Sequence, residues 1–92
     1  MKTAFVTGGS RGIGSAIALA LGKTFHVIVG FANSEDKAND VVKEIVSTGG
    51  SASAVQIDIS DAESVDNAFT TIEKEYNSVD VLINNAGITK DN

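Results

Sequence analysis

The fold of this chain is decided by one stretch, Thr7-Gly8-Gly9-Ser10-Arg11-Gly12-Ile13-Gly14. It follows an apolar run at residues 4–6, which predicts a short buried strand, and it leads into residues 13–21, where apolar side chains recur at helical spacing. A strand, a glycine-rich turn and a helix in this order are typical of a loop that holds a dinucleotide pyrophosphate. The unpaired N–H groups and the dipole at the helix start both favour an anion there.

The three spaced glycines have separate expected roles. We expect Gly8 to leave the strand in a conformation that a Cβ would resist, Gly12 to let the backbone approach a phosphate, and Gly14 to let the helix pack closely on the strand. The spacing is G-x-x-x-G-x-G and not G-x-G-x-x-G, and a glycine-rich turn is often only a turn, so this stretch alone leaves both interpretations open. A P-loop is excluded because no Lys-Ser or Lys-Thr follows the last glycine. A methyltransferase-type loop is disfavoured because no acidic residue stands just before the glycines.

The composition is that of one small globular domain, with 92 residues, of which 42 % are hydrophobic and 21 % charged. There is no cysteine, and we identify no metal site. No stretch is apolar enough for a signal peptide or a membrane span, so we expect a cytoplasmic protein without a membrane partner. The formal charge of −5 argues against nucleic acid as a partner. In this acidic background Arg11 is either an anion contact or a solvated surface arginine.

Strands and helices alternate along the chain as β-α-β-α-β-α-β. We predict strands at residues 3–7, 26–31, 52–59 and 79–83, and a first helix at residues 12–23. Asn33 or Ser34 is expected to cap the second helix, the pair Gly49-Gly50 to end it, and a capping box at residues 60–63 to begin the third. This alternation predicts an α/β protein with a doubly wound parallel sheet of Rossmann type. With strand order 3-2-1-4, the glycine turn and the turn at residues 84–87 meet at the carboxyl end of the sheet.

These motifs resemble those of the short-chain dehydrogenase/reductases. Residues 7–14 match the family's T-G-x-x-x-G-x-G signature, Asp58 falls where the family has its adenine-side acid, and residues 84–87 match its N-N-A-G motif. The resemblance spans essentially the whole chain. Residues 87–92 are most similar to 3-oxoacyl-[acyl-carrier-protein] reductases, although acetoacetyl-CoA reductases are similar there too.

The resemblance implies a set of cofactor-binding residues. Residues 8–14 would hold the pyrophosphate, with Ile13 near the nicotinamide, while the Asp58 side chain and Ile59 would border the adenine. Residues 85–87 would line the ribose with backbone groups, and Asn84 would tie the fourth strand to its neighbour. The full set is Gly8, Gly9, Ser10, Arg11, Gly12, Ile13, Gly14, Asn33, Ser34, Asp58, Ile59, Asn85, Ala86 and Gly87.

The end of the second strand favours NADP(H) as the cofactor. An NAD site needs an acidic residue there for the ribose hydroxyls, but residues 30–34 contain no carboxylate. Arg11 could pair with a 2′-phosphate, and Asn33 or Ser34 could donate hydrogen bonds to it. The alternative is that Glu35 reaches back from the next helix to a ribose, which would favour NAD.

The family's catalytic residues, a serine and a Tyr-x-x-x-Lys pair, are not found in these 92 residues. The one tyrosine, Tyr76, is followed four positions later by Asp80, and we interpret it as a packing residue. The single histidine, His26, falls at the opposite end of the sheet from the glycine turn and is interpreted as structural or solvated. We therefore expect residues 1–92 to be one NADP-binding Rossmann half-domain, with the catalytic half absent and no catalytic residue of its own. Whether the chain alone is an enzyme stays open.

Two functions remain possible from the sequence. The first is the NADP(H)-binding part of an NADPH-dependent reductase of 3-oxoacyl thioesters, which would meet an acyl thioester only in a complete enzyme. The second is a non-catalytic nucleotide-binding or folding fragment that self-associates. The apolar residues 81–83 of the fourth strand would form an open sheet edge, so we expect a homo-oligomer or pairing through that edge.

Overall fold

The computed structural model describes residues 2–10, 12–76 and 78–85. Seven elements follow one another: β1 (Thr3–Thr7), α1 (Gly12–Leu21), β2 (His26–Phe31), α2 (Glu35–Ser47), β3 (Ser51–Gln56), α3 (Ala62–Tyr76) and β4 (Val81–Asn84). Every strand pair is parallel, and the strand order is β3-β2-β1-β4. The doubly wound topology predicted from the sequence is confirmed. Its switch point lies between β1 and β4, where the order reverses.

The two faces of the sheet carry different helices. Neighbouring strand residues point to opposite faces, so Val6 faces the α1–α2 layer whereas Phe5 faces α3. The α1–α2 layer is built on Val6, Ala18, Val27, Val29, Phe31, Ala38, Val41 and Ile45. The α3 layer is smaller and contains Phe5, Ile28, Ile57, Ala68 and Ile72, with Phe69 meeting Phe5 edge to face at 5.4 Å between ring centroids. Buried on both faces, β1 and β2 hold the glycine turn on a rigid base.

The helix ends follow the sequence signals only in part. As predicted, α2 ends at a glycine: Gly49 has a φ of 91°, a left-handed conformation suited to glycine, and its N–H donates to the Val46 carbonyl. Ser34 occupies the N-cap position of α2, but its side chain makes no capping hydrogen bond. The first helix ends at Leu21, two residues earlier than predicted, and the N–H groups of Thr24 and Phe25 donate to the Leu21 carbonyl beyond it.

The predicted capping box at residues 60–63 is wrong. The N-cap of α3 is Asp61, whose Oδ1 accepts a hydrogen bond of 3.1 Å from the Glu63 N–H. The Ser60 hydroxyl turns the other way and donates to Asp58. Serine and aspartate are both good N-cap residues, so the sequence does not distinguish Ser60 from Asp61 as the cap. The conformation of the turn before the helix decides which of them caps it.

The third strand ends earlier than predicted, so the turn between β3 and α3 also begins earlier. Its ladder ends at Gln56, although the Ile57 N–H still donates to the Phe31 carbonyl at 2.8 Å. The chain then turns, with the Asp61 N–H donating to the Asp58 carbonyl at 3.0 Å. Asp58 and Ile59 therefore lie in a turn and not in a strand.

A polar cluster at the amino end of the sheet contains the single histidine. The His26 ring nitrogens lie 2.5 Å from Ser51 Oγ and 3.3 Å from Ser53 Oγ. Ser53 Oγ is also 2.9 Å from the Tyr76 hydroxyl, and the Tyr76 ring stacks on His26 at 4.7 Å between centroids. This confirms that His26 and Tyr76 have structural roles, because the cluster joins α3 to β2 and β3 at the end opposite the glycine turn.

Within the described residues, β4 has a paired strand on one side only, β1. It begins at Val81, two residues later than predicted, since Asp80 is held by β1: the Asp80 N–H donates to the Thr3 carbonyl, and its Oδ2 accepts from the Thr3 N–H. Leu82 on this strand is 52 % exposed. None of the helices described is both long and apolar enough to cross a membrane.

Candidate cofactor site

The glycine turn carries the chain from β1 into α1. Gly8 and Gly12 have φ angles of 65° and 64°, in the left-handed region that favours glycine. A Cβ built on Gly12 would meet nothing within 4 Å, so the space beside that backbone is open at the start of α1. The first turn of α1 contains no acidic side chain. The turn therefore offers an anion the unpaired N–H groups of a helix start. The nearest acidic side chains come from α2, where Asp40 and Glu44 line a pocket with Gly12.

Gly14 is required by close packing. A Cβ there would overlap the Gly8 carbonyl oxygen and would lie only 2.7 Å from Asn85 Nδ2. The same Nδ2 donates a hydrogen bond of 3.2 Å to that oxygen. The glycine turn, α1 and the loop after β4 thus meet at the Gly8 carbonyl oxygen. The loop after β4 is therefore fixed to the glycine turn, as the strand order predicts.

The loop after β2 lies beside the glycine turn. Gly8, Ser10, Ala32, Asn33 and Ser34 line one pocket of about 180 Å³. These lining residues carry hydroxyl and amide groups and no carboxylate. The Gly9 N–H donates to the Gly30 carbonyl at 2.9 Å, which fixes the spacing between the turn and β2. The arrangement can hold a polar or anionic group with neutral donors.

A second pocket, of about 390 Å³, adjoins the loop after β2 on the β3 side. It is polar and lies between β3 and the start of α3, and its lining residues are Ala32, Asn33, Gln56, Asp58, Asp61, Glu63, Ser64 and Asn67. Ala32 and Asn33 line both pockets, so the pockets adjoin at the loop after β2, and we call the two together the groove. Hydrogen bonds from Ser60 lower the pKa of the exposed Asp58 carboxyl, which keeps it ionised.

Ile59 does not lie with Asp58. It is 43 % exposed and lines a different pocket, of about 200 Å³, on the α3 side of β4. Thr7 and Asn84 lie in the same place, with the Thr7 hydroxyl 3.1 Å from Asn84 Oδ1. Asn84 therefore ties β4 to β1, as expected. The two residues predicted to border one adenine face opposite sides of the turn.

Most of the predicted cofactor residues lie along the groove or beside it. The glycine turn, Asn33, Ser34, Asp58 and Asn85 converge at the carboxyl end of the sheet, and Ile13 stands at the start of α1 with 74 % of its surface exposed. Three predicted residues, Arg11, Ala86 and Gly87, lie outside the described residues.

Sequence reasoning missed three polar residues of this region. The Gln56 Nε2 donates to the Ala32 carbonyl at 3.1 Å and supports the loop after β2. The Ser60 and Ser64 hydroxyls both bond Asp58. An exposed polar residue after a strand carries no signal of its own, and only the Asp-x-Ser spacing of residues 58–60 could have suggested an Asx turn.

Several features of the described residues suit a dinucleotide. These residues bring no group of three or more His, Cys, Asp or Glu side chains together for a metal ion. The open backbone at Gly12 fits a phosphate, and the groove on either side of Asn33 has the polar lining that a nucleotide needs.

Comparisons with known proteins match the chain to one family. A family model described as short chain dehydrogenase matches residues 2–92. The 3-oxoacyl-[acyl-carrier-protein] reductase of Synechocystis sp. is 48 % identical over 91 residues, and that of Staphylococcus epidermidis is 47 % identical over 92 residues. These matches cover 98 % and 99 % of this chain but only 37 % and 38 % of the two relatives.

Solved structures show the same architecture. A dehydrogenase/reductase from Sinorhizobium meliloti is 43 % identical, with a TM-score of 0.85, over 90 % of this chain and 33 % of its own length. The angucycline C-6 ketoreductase LanV with bound NADP is 36 % identical, with a TM-score of 0.78, over 88 % of this chain and 34 % of its own. The chain therefore spans about a third of the length of the proteins that it matches.

Proposed function

The chain belongs to the short-chain dehydrogenase family, and from that premise we propose that it is the NADP(H)-binding part of a short-chain dehydrogenase/reductase. One observation carries the proposal. The pocket between the glycine turn and the loop after β2 is lined by Ser10, Asn33 and Ser34 and by no carboxylate. An NAD site would have an acid there to bind the ribose hydroxyls, and that acid would repel a 2′-phosphate.

Within this proposal the groove is divided along the cofactor. The N-terminus of α1 binds the pyrophosphate, the pocket at Asn33 and Ser34 binds the 2′-phosphate, and the pocket at Asp58 binds the adenine. Arg11 supplies the positive charge next to the 2′-phosphate, and Ile13 lies towards the nicotinamide. Ala86 and Gly87 line the ribose together with Asn85. When bound, the cofactor would supply a hydride, and this chain's residues hold and orient it.

The alternative cofactor, NAD, would need a carboxylate from α2. Glu35 and Asp36 stand in the first turn of that helix, and neither lines the pocket at Asn33. The Asp36 Oδ1 accepts a hydrogen bond of 3.0 Å from the Lys37 N–H, so this carboxylate is bound to its own helix start. Both observations favour NADP(H).

We extend the proposal to the complete protein through its relatives. Two of them are named as 3-oxoacyl-[acyl-carrier-protein] reductases and share almost half of this chain's residues. The activity we propose is NADPH-dependent reduction of a 3-oxoacyl thioester in fatty acid biosynthesis, by a cytoplasmic protein. The residues that donate the proton and bind the acyl group would then belong to sequence outside these 92 residues.

The proposal is tested by titrating NADPH and NADH into the chain and following the fluorescence of the reduced nicotinamide. We expect micromolar binding of NADPH and at least tenfold weaker binding of NADH. Arg11→Ala should remove most of that preference, because a charge-assisted contact to the phosphate is lost. Lys23→Ala, a change of one positive charge in the turn after α1, is the matched control and should leave the preference unchanged.

The second candidate function is a non-catalytic nucleotide-binding or folding fragment that self-associates. The half-exposed Leu82 favours it, because β4 is paired on one side only within the described residues. Absence of binding by either nucleotide, together with a sedimentation coefficient above that of a monomer, would favour this function over the first.

A further inference from the structure

Asn33 and Ser34 form an Asn-Ser pair in the loop between β2 and α2, where the chain bends. The Asn33 side chain is exposed and makes no hydrogen bond within the part of the chain that the structure describes. The Ser34 carbonyl accepts from the Ala38 N–H at 3.0 Å, but the Ser34 N–H has no partner among the described residues. An unbonded side-chain amide therefore precedes an unbonded backbone N–H.

These two groups can react with each other, since asparagine is among the chemically labile residues of proteins. The Ser34 backbone nitrogen attacks Asn33 Cγ and closes a cyclic imide, and the side-chain nitrogen leaves with the N–H proton as ammonia. Water then opens the ring at either carbonyl, which leaves an aspartate or an isoaspartate in place of Asn33. The reaction needs a free N–H, a chain that is not locked in a helix or strand, and a small side chain on the next residue. The loop after β2 supplies all of these.

The other described asparagines lack this combination. Asn39 and Asn67 lie inside α2 and α3, where the N–H that follows is bonded to a carbonyl of the preceding helical turn. The side chains of Asn84 and Asn85 form hydrogen bonds of 3.1 and 3.2 Å to the end of β1 and to the glycine turn. The chain has a second Asn-Ser pair at residues 77–78, but the N–H of that serine donates to the carbonyl of the last α3 residue at 2.8 Å.

Asn33 also lies where a new carboxylate would change the ligand. It lines the pocket of about 180 Å³ between the glycine turn and the loop after β2, and no carboxylate lines that pocket. The acids that follow in the sequence, Glu35 and Asp36, stand in the first turn of α2 and do not line it. Conversion of Asn33 therefore places a negative charge at the end of β2, where an acid binds the ribose hydroxyls of NAD and repels a 2′-phosphate.

We propose that Asn33 is a self-modifying site, at which cyclisation with the Ser34 N–H and hydrolysis turn a pocket that accepts a 2′-phosphate into one that repels it. The modification needs only water. Its effect on the cofactor rests on the proposed function, which places the 2′-phosphate in this pocket. Because ammonia is lost, the change runs in one direction, and the chain loses its preference for NADPH as it ages.

The first measurement follows the modification without any cofactor. The chain is kept in mildly alkaline buffer and digested at acidic pH, and mass spectrometry of the peptides then reports conversion of amide to acid. We expect Asn33 to convert several-fold faster than Asn39, Asn67 and the asparagine of residues 77–78. Asn33→Gln, whose longer side chain cyclises poorly, should remove the modification from this loop. A rate at Asn33 no higher than at those other asparagines overturns the inference.

The second measurement compares the affinities for NADPH and NADH by fluorescence titration before and after the incubation. We expect the NADPH preference to fall about tenfold as Asn33 converts, the scale of one like-charge contact near a protein surface. Asn33→Asp should have the lowered preference from the start, and the preference of Asn33→Gln should not change with time. Asn39→Asp, the same change of charge at an exposed residue of α2, is the matched control and should keep the preference of the unmodified chain.

The two measurements separate this inference from the proposed function. A chain that prefers NADPH but keeps that preference in Asn33→Asp overturns the inference and leaves the proposed function standing. If the unmodified chain binds neither nucleotide, the proposed function and the effect on cofactor preference fail together. The peptide analysis still decides whether Asn33 modifies itself.

Discussion

Asn85 Nδ2 donates a 3.2 Å hydrogen bond to the carbonyl oxygen of Gly8, a residue 77 positions earlier in the chain. This bond joins the loop after β4 to the glycine turn across the switch point of the sheet. The first oriented N–H groups of α1 lie directly beyond that turn. The geometry of the proposed pyrophosphate site therefore depends on the side chain of Asn85, which directly follows β4.

Replacing Asn85 should weaken cofactor binding while preserving the fold. In Asn85→Ala the Gly8 carbonyl loses its donor, and we expect the dissociation constant for NADPH to rise about 2- to 10-fold, the size of one ordinary hydrogen bond. Asn39→Ala, an exposed asparagine on α2, is the matched control for fluorescence titrations. Equal affinities of Asn85→Ala and the unmodified chain would show that this bond does not organise the site.

Gly14→Ala should destabilise the protein because its Cβ would overlap the Gly8 carbonyl oxygen. We expect a loss of about 1–3 kcal/mol in the free energy of unfolding, as for other overpacked sites, measured by urea denaturation. Gly12→Ala is the comparison variant, in which only backbone conformation matters. A Cβ at Gly12 meets nothing within 4 Å, but the φ angle is 64°. Its expected cost is about 1 kcal/mol from the left-handed conformation. A smaller cost for Gly14→Ala than for Gly12→Ala would contradict the close-packing argument.

His26 should make stability depend on pH. Burial lowers the pKa of His26 below its ordinary value of 6.5, and the Glu75 carboxylate opposes the effect only in part. The unfolded chain then binds the proton more readily than the folded one. The contribution of His26 is therefore complete above pH 6.5 and is lost as the pH falls from there through the lower folded-state pKa.

The measurement for His26 is an NMR titration of the imidazole, together with urea midpoints at pH 5.5 and 7.5. The chain has one histidine, so the signal is unambiguous. Glu75→Gln, which removes the opposing charge, should lower the pKa further. A folded-state pKa at or above 6.5 would be inconsistent with the half-buried cluster of His26, Ser51 and Tyr76.

Leu82→Lys should reduce self-association. Leu82 is 52 % exposed on β4, and charged side chains on an edge strand discourage pairing with a second chain. The expected result is a shift towards monomer by sedimentation at tens of micromolar. Val46→Lys adds the same charge at a residue of α2 that is 53 % exposed, and it should leave the oligomeric state unchanged. A monomeric unmodified chain would refute pairing through β4.

The sequence by itself determined the topology. Buried strands at residues 3–7 and 26–31, the alternation with amphipathic helices and the glycine turn predicted a doubly wound parallel sheet, and the strand order 3-2-1-4 assumed for it is the order observed. Sequence patterns of this kind predict the topology because right-handed crossovers and burial on both faces leave few alternative arrangements of the strands. Close packing at Gly14 was predicted from the glycine turn, although the group that it meets is the Gly8 carbonyl and not the strand.

The details of the site depended on contacts that only the tertiary structure decides. Asp61, and not Ser60 as predicted, caps α3, because β3 ends at Gln56 and the chain turns at Asp58. Asp58 and Ile59, adjacent in sequence and assigned to one adenine, face different pockets because the turn directs successive side chains apart. Hydrophobic periodicity in the sequence indicates which residues are buried. The partner of an exposed polar side chain such as Ser60 depends on where the strand before it ends, which is set by the pairing of β3 with β2.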